Sequence, residues 1–255
     1  NKVSLSTMVA GSEGSTWRAT LYPLQGAVPA AAAVCTNTST GAFPLAVRSG
    51  AEKRRLLELA LLSNTAGQTF FVEDRLGHMG GLNGTLTTAQ TVSLNLASLG
   101  NNVSARIGAS DYSEVTWYLE WYTATGSTVA TPTVAVTYAD DSTGNCNVWV
   151  IGATALPASV AASRRYQIVS ATGKGIKAVN TVTLSASTAT AGSFGVTATR
   201  RLATLVTHIA NKSEILKYDS GKGPVIEDEA CLTLAFASST TSSGTAVGTL
   251  TQEVS

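Results

Sequence analysis

Short stretches in which apolar and polar residues alternate recur along this chain, and they constrain its fold more than any other feature. Each stretch reaches a turn rich in Thr, Ala, Ser and Gly and is followed by a second stretch rich in Val and Thr. There are three such pairs. Residues 117–122 are followed by 133–138, residues 179–187 by 194–199, and residues 231–236 by 245–254. A period of two is typical of half-buried strands, because successive side chains point to opposite faces of a sheet. The sequence therefore predicts an all-β fold, an antiparallel β-sandwich of the jelly-roll type built from such hairpins.

Residues 68–96 also contain two strand-like stretches, which are separated by one glycine-rich interruption. Residues 68–76 include Phe70, Phe71 and Val72 and are typical of a strand. Residues 77–84 contain four glycines, so we expect a loop there. From residue 85 onward the alternating positions are Leu86, Thr88, Gln90, Val92, Leu94 and Leu96. We expect a sandwich strand whose outer face is partly wet.

The first part of the chain differs from the rest. Residues 1–48 contain Pro23 and Pro29 and a flexible Gly/Ser stretch at 11–15, which predicts an extended N-terminal arm. A short α-helix with its connection is predicted over residues 49–67, because 51–62 are rich in strong helix formers. Leu56, Leu59 and Ala60 have helical spacing, so one face of this helix should be buried.

Residues 68–255 form the predicted sandwich region. Pro157 and nearby Ala and Ser residues interrupt the strand pattern, as do Gly108 and the residues that follow it. Two sandwiches divided near 108–113 or 156–164 are therefore an alternative to one large domain.

The charge content limits the classes of partner. Charged residues make up 13% of the chain, about half of what soluble domains carry, and 17 Lys and Arg balance 16 Asp and Glu. A nucleic-acid-binding face concentrates positive charge, so we expect no direct nucleic-acid binding. No uninterrupted apolar run approaches a membrane span, so we expect no membrane partner. A surface of Ser, Thr, Asn and Gly suits a subunit with many protein neighbours, because burying a hydroxyl costs less than burying an unpaired charge.

Residues that carry chemistry are few. The three cysteines, Cys35, Cys146 and Cys231, lack metal-ligand spacing and are expected to be free and buried. The two histidines, His78 and His208, have no nucleophile motif around them. Gly-Lys-Gly at 173–175 and 221–223 predicts turns, and the acidic stretches 140–141 and 227–229 predict solvated turns rather than cation sites. Glycoside hydrolysis needs two carboxylates, and Glu73 with Glu120 could supply them, but no sequence motif around either residue indicates this activity. We expect no cofactor and no enzymatic activity.

One cluster of aromatic residues is the densest in the chain. Alternation places Trp117 and Trp121 on one face of a strand and Tyr118 and Tyr122 on the other. The Trp face predicts a buried core. The alternative is an interface or sugar-stacking strip, since Trp and Tyr are favoured in binding sites. The candidate interface residues are Leu56, Leu59, Trp117, Trp121, Tyr118 and Tyr122.

Residues 74–91, 118–127 and 182–187 resemble uncharacterised β-rich virion proteins of tailed bacteriophages, and the likeness spans roughly residues 70 to 255. The resemblance implies a structural protein of the particle, such as a capsid decoration, cement or head-fibre subunit. It implies location in the virion, assembly in the host cytoplasm, and partners that include further copies of the chain, with a trimer expected first, and the major capsid protein. The alternatives are a tail or baseplate component, a carbohydrate- or receptor-binding module, and a β-sandwich hydrolase.

Overall fold

The fold comes from a computed structural model that describes residues 13–15, 31–39, 41–100, 102–149, 155–160, 164–189, 192–239 and 244–255. These residues form fourteen β-strands and one helix of four residues. In chain order the elements are β1 (Glu13–Ser15), β2 (Ala33–Val34), β3 (Arg54–Ser63), β4 (Gln68–Asn83), β5 (Gln90–Asn95), α1 (Val103–Arg106), β6 (Val115–Trp121), β7 (Pro132–Tyr138), β8 (Thr143–Val148), β9 (Arg164–Val169), β10 (Ile176–Leu184), β11 (Ser193–Thr207), β12 (Lys212–Lys217), β13 (Leu232–Ser238) and β14 (Ala246–Val254).

The strands pair into two antiparallel sheets, which confirms the predicted all-β class. The large sheet has eleven strands in the order β1-β13-β4-β11-β6-β9-β8-β7-β10-β5, with β2 on β4. The small sheet has the order β12-β3-β14. Because β5 pairs with β10, strands from either side of 108–113 and of 156–164 lie in one sheet. One sheet therefore runs across both positions.

Part of the large sheet closes on itself. Strand β1 pairs with β13 through one edge and with β9 through the other. Strands β1, β13, β4, β11, β6 and β9 consequently form a closed ring of six strands. Most of the predicted arm, residues 1–48, lies outside the described residues, and two of its described parts, β1 and β2, are strands of this sheet.

Two hydrophobic cores lie on the outer side of this ring. In the larger core, Trp117, Leu119 and Trp121 of β6 pack with apolar residues of β7 and β10 such as Val134 and Val182. The smaller core lies between the ring and the small sheet, and contains Leu56, Leu59, Phe70, Val72, Leu232 and Phe236. The chain thus has a layered arrangement, in which the ring strands are covered on two sides.

The predicted helix at 51–62 is wrong, because these residues form most of β3. Leu56, Leu59 and Leu61 face the smaller core while Leu62 faces outward, so the leucines also fit an extended strand interrupted by one irregularity in pairing. Strand β3 is hydrogen-bonded to β12 on one edge and to β14 on the other. This long-range pairing overrides local helix propensity. The described residues contain one helix, Val103–Arg106, and it lies elsewhere.

The predicted glycine-rich loop at 77–84 is also wrong up to Asn83, because β4 continues through it. At Gly77 an added Cβ would lie 2.4 Å from a methyl group of Leu99 and 3.1 Å from one of Leu94. Gly77 therefore permits other chain segments to pack closely on the strand. Such close approach, and not only a loop, explains a glycine within a strand.

The three predicted hairpins contain real strands but wrong partners. Strand β6 pairs with β9 and β11, whereas β7 pairs with β8 and β10. Strands β10 and β11 are likewise unpaired with each other, and β13 and β14 lie in different sheets. Periodicity indicates that a strand exists, but partners depend on contacts that are distant in sequence.

We expect Leu59→Asp to lower the free energy of unfolding by about 3 to 5 kcal/mol, since it would place an unpaired carboxylate in an apolar core. Leu59 is 2% exposed. Leu62→Asp is the matched control on the same strand, and in the isolated subunit it should cost less than about 1 kcal/mol because Leu62 faces outward. Urea denaturation of both variants tests this placement. Equal losses of stability would contradict the assignment of the two faces.

Candidate interaction surface

The six residues predicted from sequence as an interface are all buried within the chain. The indole of Trp117 donates a hydrogen bond to the carbonyl oxygen of Ile176 at 2.9 Å. The ring of Trp121 packs against Phe194, with 4.3 Å between ring centroids. Leu56 and Leu59 face the smaller core. The core position predicted for Trp117 and Trp121 is confirmed.

Tyr118 lies inside the six-stranded ring, next to an ion-pair network. Arg165 makes a bidentate pair with Glu73, with N···O distances of 2.6 and 2.8 Å, and also contacts Glu13 at 3.0 Å. Its guanidinium lies 4.1 Å from the centre of the Tyr118 ring. Arg201 donates to the Tyr118 hydroxyl at 2.9 Å. Burial raises the pKa of Tyr118 well above its ordinary value, so the hydroxyl stays protonated.

A second network lies beside the first. Arg75 pairs with Glu120 at 3.1 Å and donates to Thr197 at 3.0 Å, while Thr197 donates to Glu120 at 2.8 Å. His78 contacts Thr197 through Nδ1 at 2.9 Å and Tyr122 through Nε2. The buried carboxylates therefore have cationic partners inside the ring, which buried charges require.

Glu73 and Glu120, the two carboxylates considered above for glycoside hydrolysis, thus belong to two separate ion pairs inside the ring, with Arg165 and Arg75 respectively. Sequence reasoning missed this interior. Its signal was the presence of Glu73, Arg75, Glu120 and Arg165 inside stretches otherwise typical of buried strands. In a chain with 13% charged residues, such placement indicates paired buried charges.

The remaining polar motifs are at the surface. Gly173 and Gly221 have φ of 75° and 73°, as turns require, which confirms the prediction for both Gly-Lys-Gly motifs. Asp140 and Asp141 pair with Lys174 and Lys177. His208 is exposed. Among the described residues, no group of three or more His, Cys, Asp or Glu side chains has the arrangement of a metal site.

The small sheet, β12-β3-β14, presents the most exposed aliphatic side chains on a regular element. We call it the outer sheet. Leu62 of β3 lies directly opposite Val247 of β14, and Ile215 of β12 lies opposite Ala60. Ile215 is 59% exposed, Val247 68% and Leu62 37%. These residues form an apolar patch on the face that points away from the smaller core.

Neither edge of the outer sheet is paired with another described strand. Within the described parts of the chain, β12 and β14 pair with β3 alone. Strand β14 has nine residues, no proline and one charged residue, Glu253. Proteins usually protect exposed edges with charges, proline or short strands, because free N–H and C=O groups recruit another strand. The edge of β14 has little of this protection.

A cleft of about 550 Å³ opens beside the same sheet. Its walls include Phe43, Leu61, Leu234 and Leu250. The amide of Gln252 ties β14 to the segment that contains Phe43, because its Oε1 accepts from the backbone N–H of Ala46 at 2.9 Å and its Nε2 donates to the carbonyl of Pro44 at 2.8 Å. The cleft therefore lies beside the edge strand β14, and its walls include both core-facing Leu61 and outward-facing Val247.

A second surface covers strands β5, β10, β7 and β8, and we call it the threonine face. Its side chains form rows across the strands, of which two are Thr183–Thr133–Asn147 and Thr91–Thr181–Ala135–Asn145. These rows carry hydroxyl and amide groups but no charge. Trp149, 51% exposed, follows β8, and its backbone N–H donates to the carbonyl of Gln167 at 2.7 Å.

In the part of the chain that the structure describes, no helix has the length and apolarity needed to cross a membrane. Comparison of this chain with protein-family models, with curated proteins and with solved structures found no match.

Proposed function

We propose that this chain is a non-enzymatic structural protein of a virus particle, a capsid-associated decoration or cement subunit. The observation that carries the proposal is the outer sheet, which combines two edges that pair with no other described strand with the exposed residues Leu62, Ile215 and Val247. The resemblance of residues 74–91, 118–127 and 182–187 to phage virion proteins supplies the biological setting.

The chemistry of docking follows from this sheet. A strand of a neighbouring subunit that adds to β14 would satisfy its free backbone donors and acceptors, as in other cases of strand addition. The apolar patch would add hydrophobic stabilisation at about 25 cal/mol per Å² removed from water. The low charge of the chain keeps the desolvation cost of such contacts small. The proposed neighbours are further copies of the chain and the major capsid protein.

We predict that the purified protein is an oligomer with closed symmetry, a trimer in the first instance, held by the outer sheet. Val247→Lys should shift it towards the monomer, because a lysine on the patch must be desolvated in the contact. Val129→Lys is the control, since Val129 is 50% exposed and lies between β6 and β7, outside the outer sheet. Light scattering during size-exclusion chromatography measures the mass. A parent protein that stays monomeric at high concentration would contradict the prediction.

A carbohydrate- or receptor-binding module is the second candidate, and the threonine face favours it. Exposed indole rings stack on sugars, and neutral hydroxyl and amide groups hydrogen-bond to sugar hydroxyls without the cost of desolvating a charge. This candidate places the aromatic contact at Trp149, because Trp117 and Trp121 are buried. Binding to host glycans that is lost in Trp149→Ala, with unchanged melting, would favour it over the first proposal. The tail or baseplate alternative is distinguished by the position of the chain in the particle.

A further inference from the structure

Two of the three cysteines lie together. Cys35 follows β2 and Cys231 precedes β13, and both strands lie along the same edge of β4, because β11 occupies the other edge. The backbone N–H of Cys35 donates to the carbonyl of Leu76 at 3.2 Å, and the carbonyl of Cys231 accepts from the N–H of Arg75 at 2.9 Å. The two cysteines, nearly 200 residues apart in sequence, share one buried cluster.

One ion pair fixes the backbone of both cysteines. Arg106 of α1 binds Asp74 of β4 through two hydrogen bonds, of 2.9 and 2.6 Å. Asp74 accepts from the backbone N–H of Cys231 at 2.8 Å, and Arg106 donates to the carbonyl of Cys35 at 2.9 Å. All four side chains are buried. The two thiols are therefore held beside each other by bonds that do not involve sulfur.

We propose that Cys35 and Cys231 are a disulfide-forming pair that ties the N-terminal part of the sheet to β13. The oxidant is a small-molecule disulfide such as oxidised glutathione. The thiolate of one cysteine attacks it and releases one small thiol, and the other cysteine then displaces the second, with loss of two protons from the protein. Two protein thiols become one disulfide while one oxidant disulfide becomes two thiols.

The structure indicates when the exchange takes place. Burial raises the pKa of both thiols, and this suppresses the reactive thiolate in the closed state. Strand β2 has two residues, and the residues on either side of Cys35 within 31–39 are half-buried or exposed, so exposure of Cys35 needs only local opening of this segment and release of its bond from Arg106, not unfolding of the whole chain. Exchange thus proceeds during folding or local opening, and the bond is protected once the segment closes.

This inference goes beyond the proposed function, because it concerns a covalent bond within one subunit. A subunit that folds in a reducing cytoplasm keeps both thiols, and the bond forms after transfer to an oxidising environment. A cross-link over so long a separation restricts the unfolded chain strongly. Cys146 is an internal control, since it is buried in the larger core with Tyr138, at 3.6 Å from its hydroxyl oxygen.

The test is incubation of the protein with a glutathione buffer set oxidising or reducing, followed by alkylation under denaturing conditions and peptide mass spectrometry. We expect the oxidised sample to contain the Cys35 peptide joined to the Cys231 peptide, with Cys146 alkylated. Its melting temperature should exceed that of the reduced sample by about 5 to 10 °C.

Three variants separate the bond from side-chain packing. Cys35→Ala and Cys231→Ala should each abolish the difference in melting temperature between oxidised and reduced samples, whereas Cys146→Ala should retain it. The parent protein alone decides the matter if a variant fails to fold. Three alkylated cysteines after unfolding and refolding in the oxidising buffer would overturn the proposal, as would a cross-link that includes Cys146 or joins two subunits.

Discussion

Replacing Trp121 with alanine is expected to lower the free energy of unfolding by about 3 to 5 kcal/mol, a large share of a typical domain's stability. The Trp121 side chain is fully buried in the larger core and packs on Phe194 at 4.3 Å. An added Cβ at Gly84 or Gly192 would lie 3.2 Å from its Cζ3, so the ring fills a tightly bounded space. Removal leaves a cavity that surrounding strands cannot fill by small shifts. Urea denaturation followed by circular dichroism measures the loss.

Two further variants make the result specific. Trp121→Phe keeps an aromatic ring and should cost less than Trp121→Ala, so it gives a measurable midpoint even if the alanine variant does not fold. Trp149→Ala is the matched control, because Trp149 is 51% exposed and its removal should change the free energy of unfolding by less than about 1 kcal/mol. A Trp121→Ala protein that melts within a degree of the parent would contradict the core placement.

Replacing Arg106 with methionine should cost about 3 to 5 kcal/mol, because removal of one partner leaves a buried charge uncompensated. Asp74 would lose both hydrogen bonds from the guanidinium, and the carbonyls of Cys35 and Arg75 would each lose a donor. Methionine has a similar volume, so the loss reports charge and hydrogen bonding rather than a cavity. The variant should also expose the Cys35 and Cys231 thiols to alkylating reagents sooner.

Arg200→Met supplies the comparison. Arg200 donates to Glu114 at 2.8 Å, but Glu114 is half exposed, and an exposed pair contributes at most about 1 kcal/mol. Chemical denaturation of both variants, with alkylation rates of the native proteins, separates the two sites. Similar small losses for Arg106→Met and Arg200→Met would show that the buried pair does not anchor β4, β13 and α1.

The sequence was sufficient for properties that depend on neighbouring residues. Alternation in residues 117–122 correctly predicted that Trp117 and Trp121 share a buried face opposite Tyr118, because the period of a strand is local. The helix predicted at 51–62 was wrong because local pattern alone does not decide the structure there. Its leucines satisfy both periods, and the choice is made by hydrogen bonds to β12 and β14, which lie about 150 and 190 residues away.

The ring interior and the cysteine pair were beyond local reasoning. Glu73 faces Arg165 because β4 and β9 belong to a ring that is completed by β1 and β13, and no local pattern encodes that closure. Cys35 meets Cys231 because two chain segments use the same edge of β4. The outer sheet likewise combines strands from three distant parts of the sequence. In each case the sequence shows the residue types and the strand periodicity, but it does not show which strands pair or which side chains meet.

The position of the chain in the intact virus particle, determined by electron cryo-microscopy, tests the central proposal most directly. We predict that the chain lies on the outside of the head, with β12, β3 and β14 in contact with a neighbouring subunit and the edge of β14 paired with a strand of that neighbour. Purified particles that lack the chain, or that carry it only in the tail or baseplate, would contradict the account.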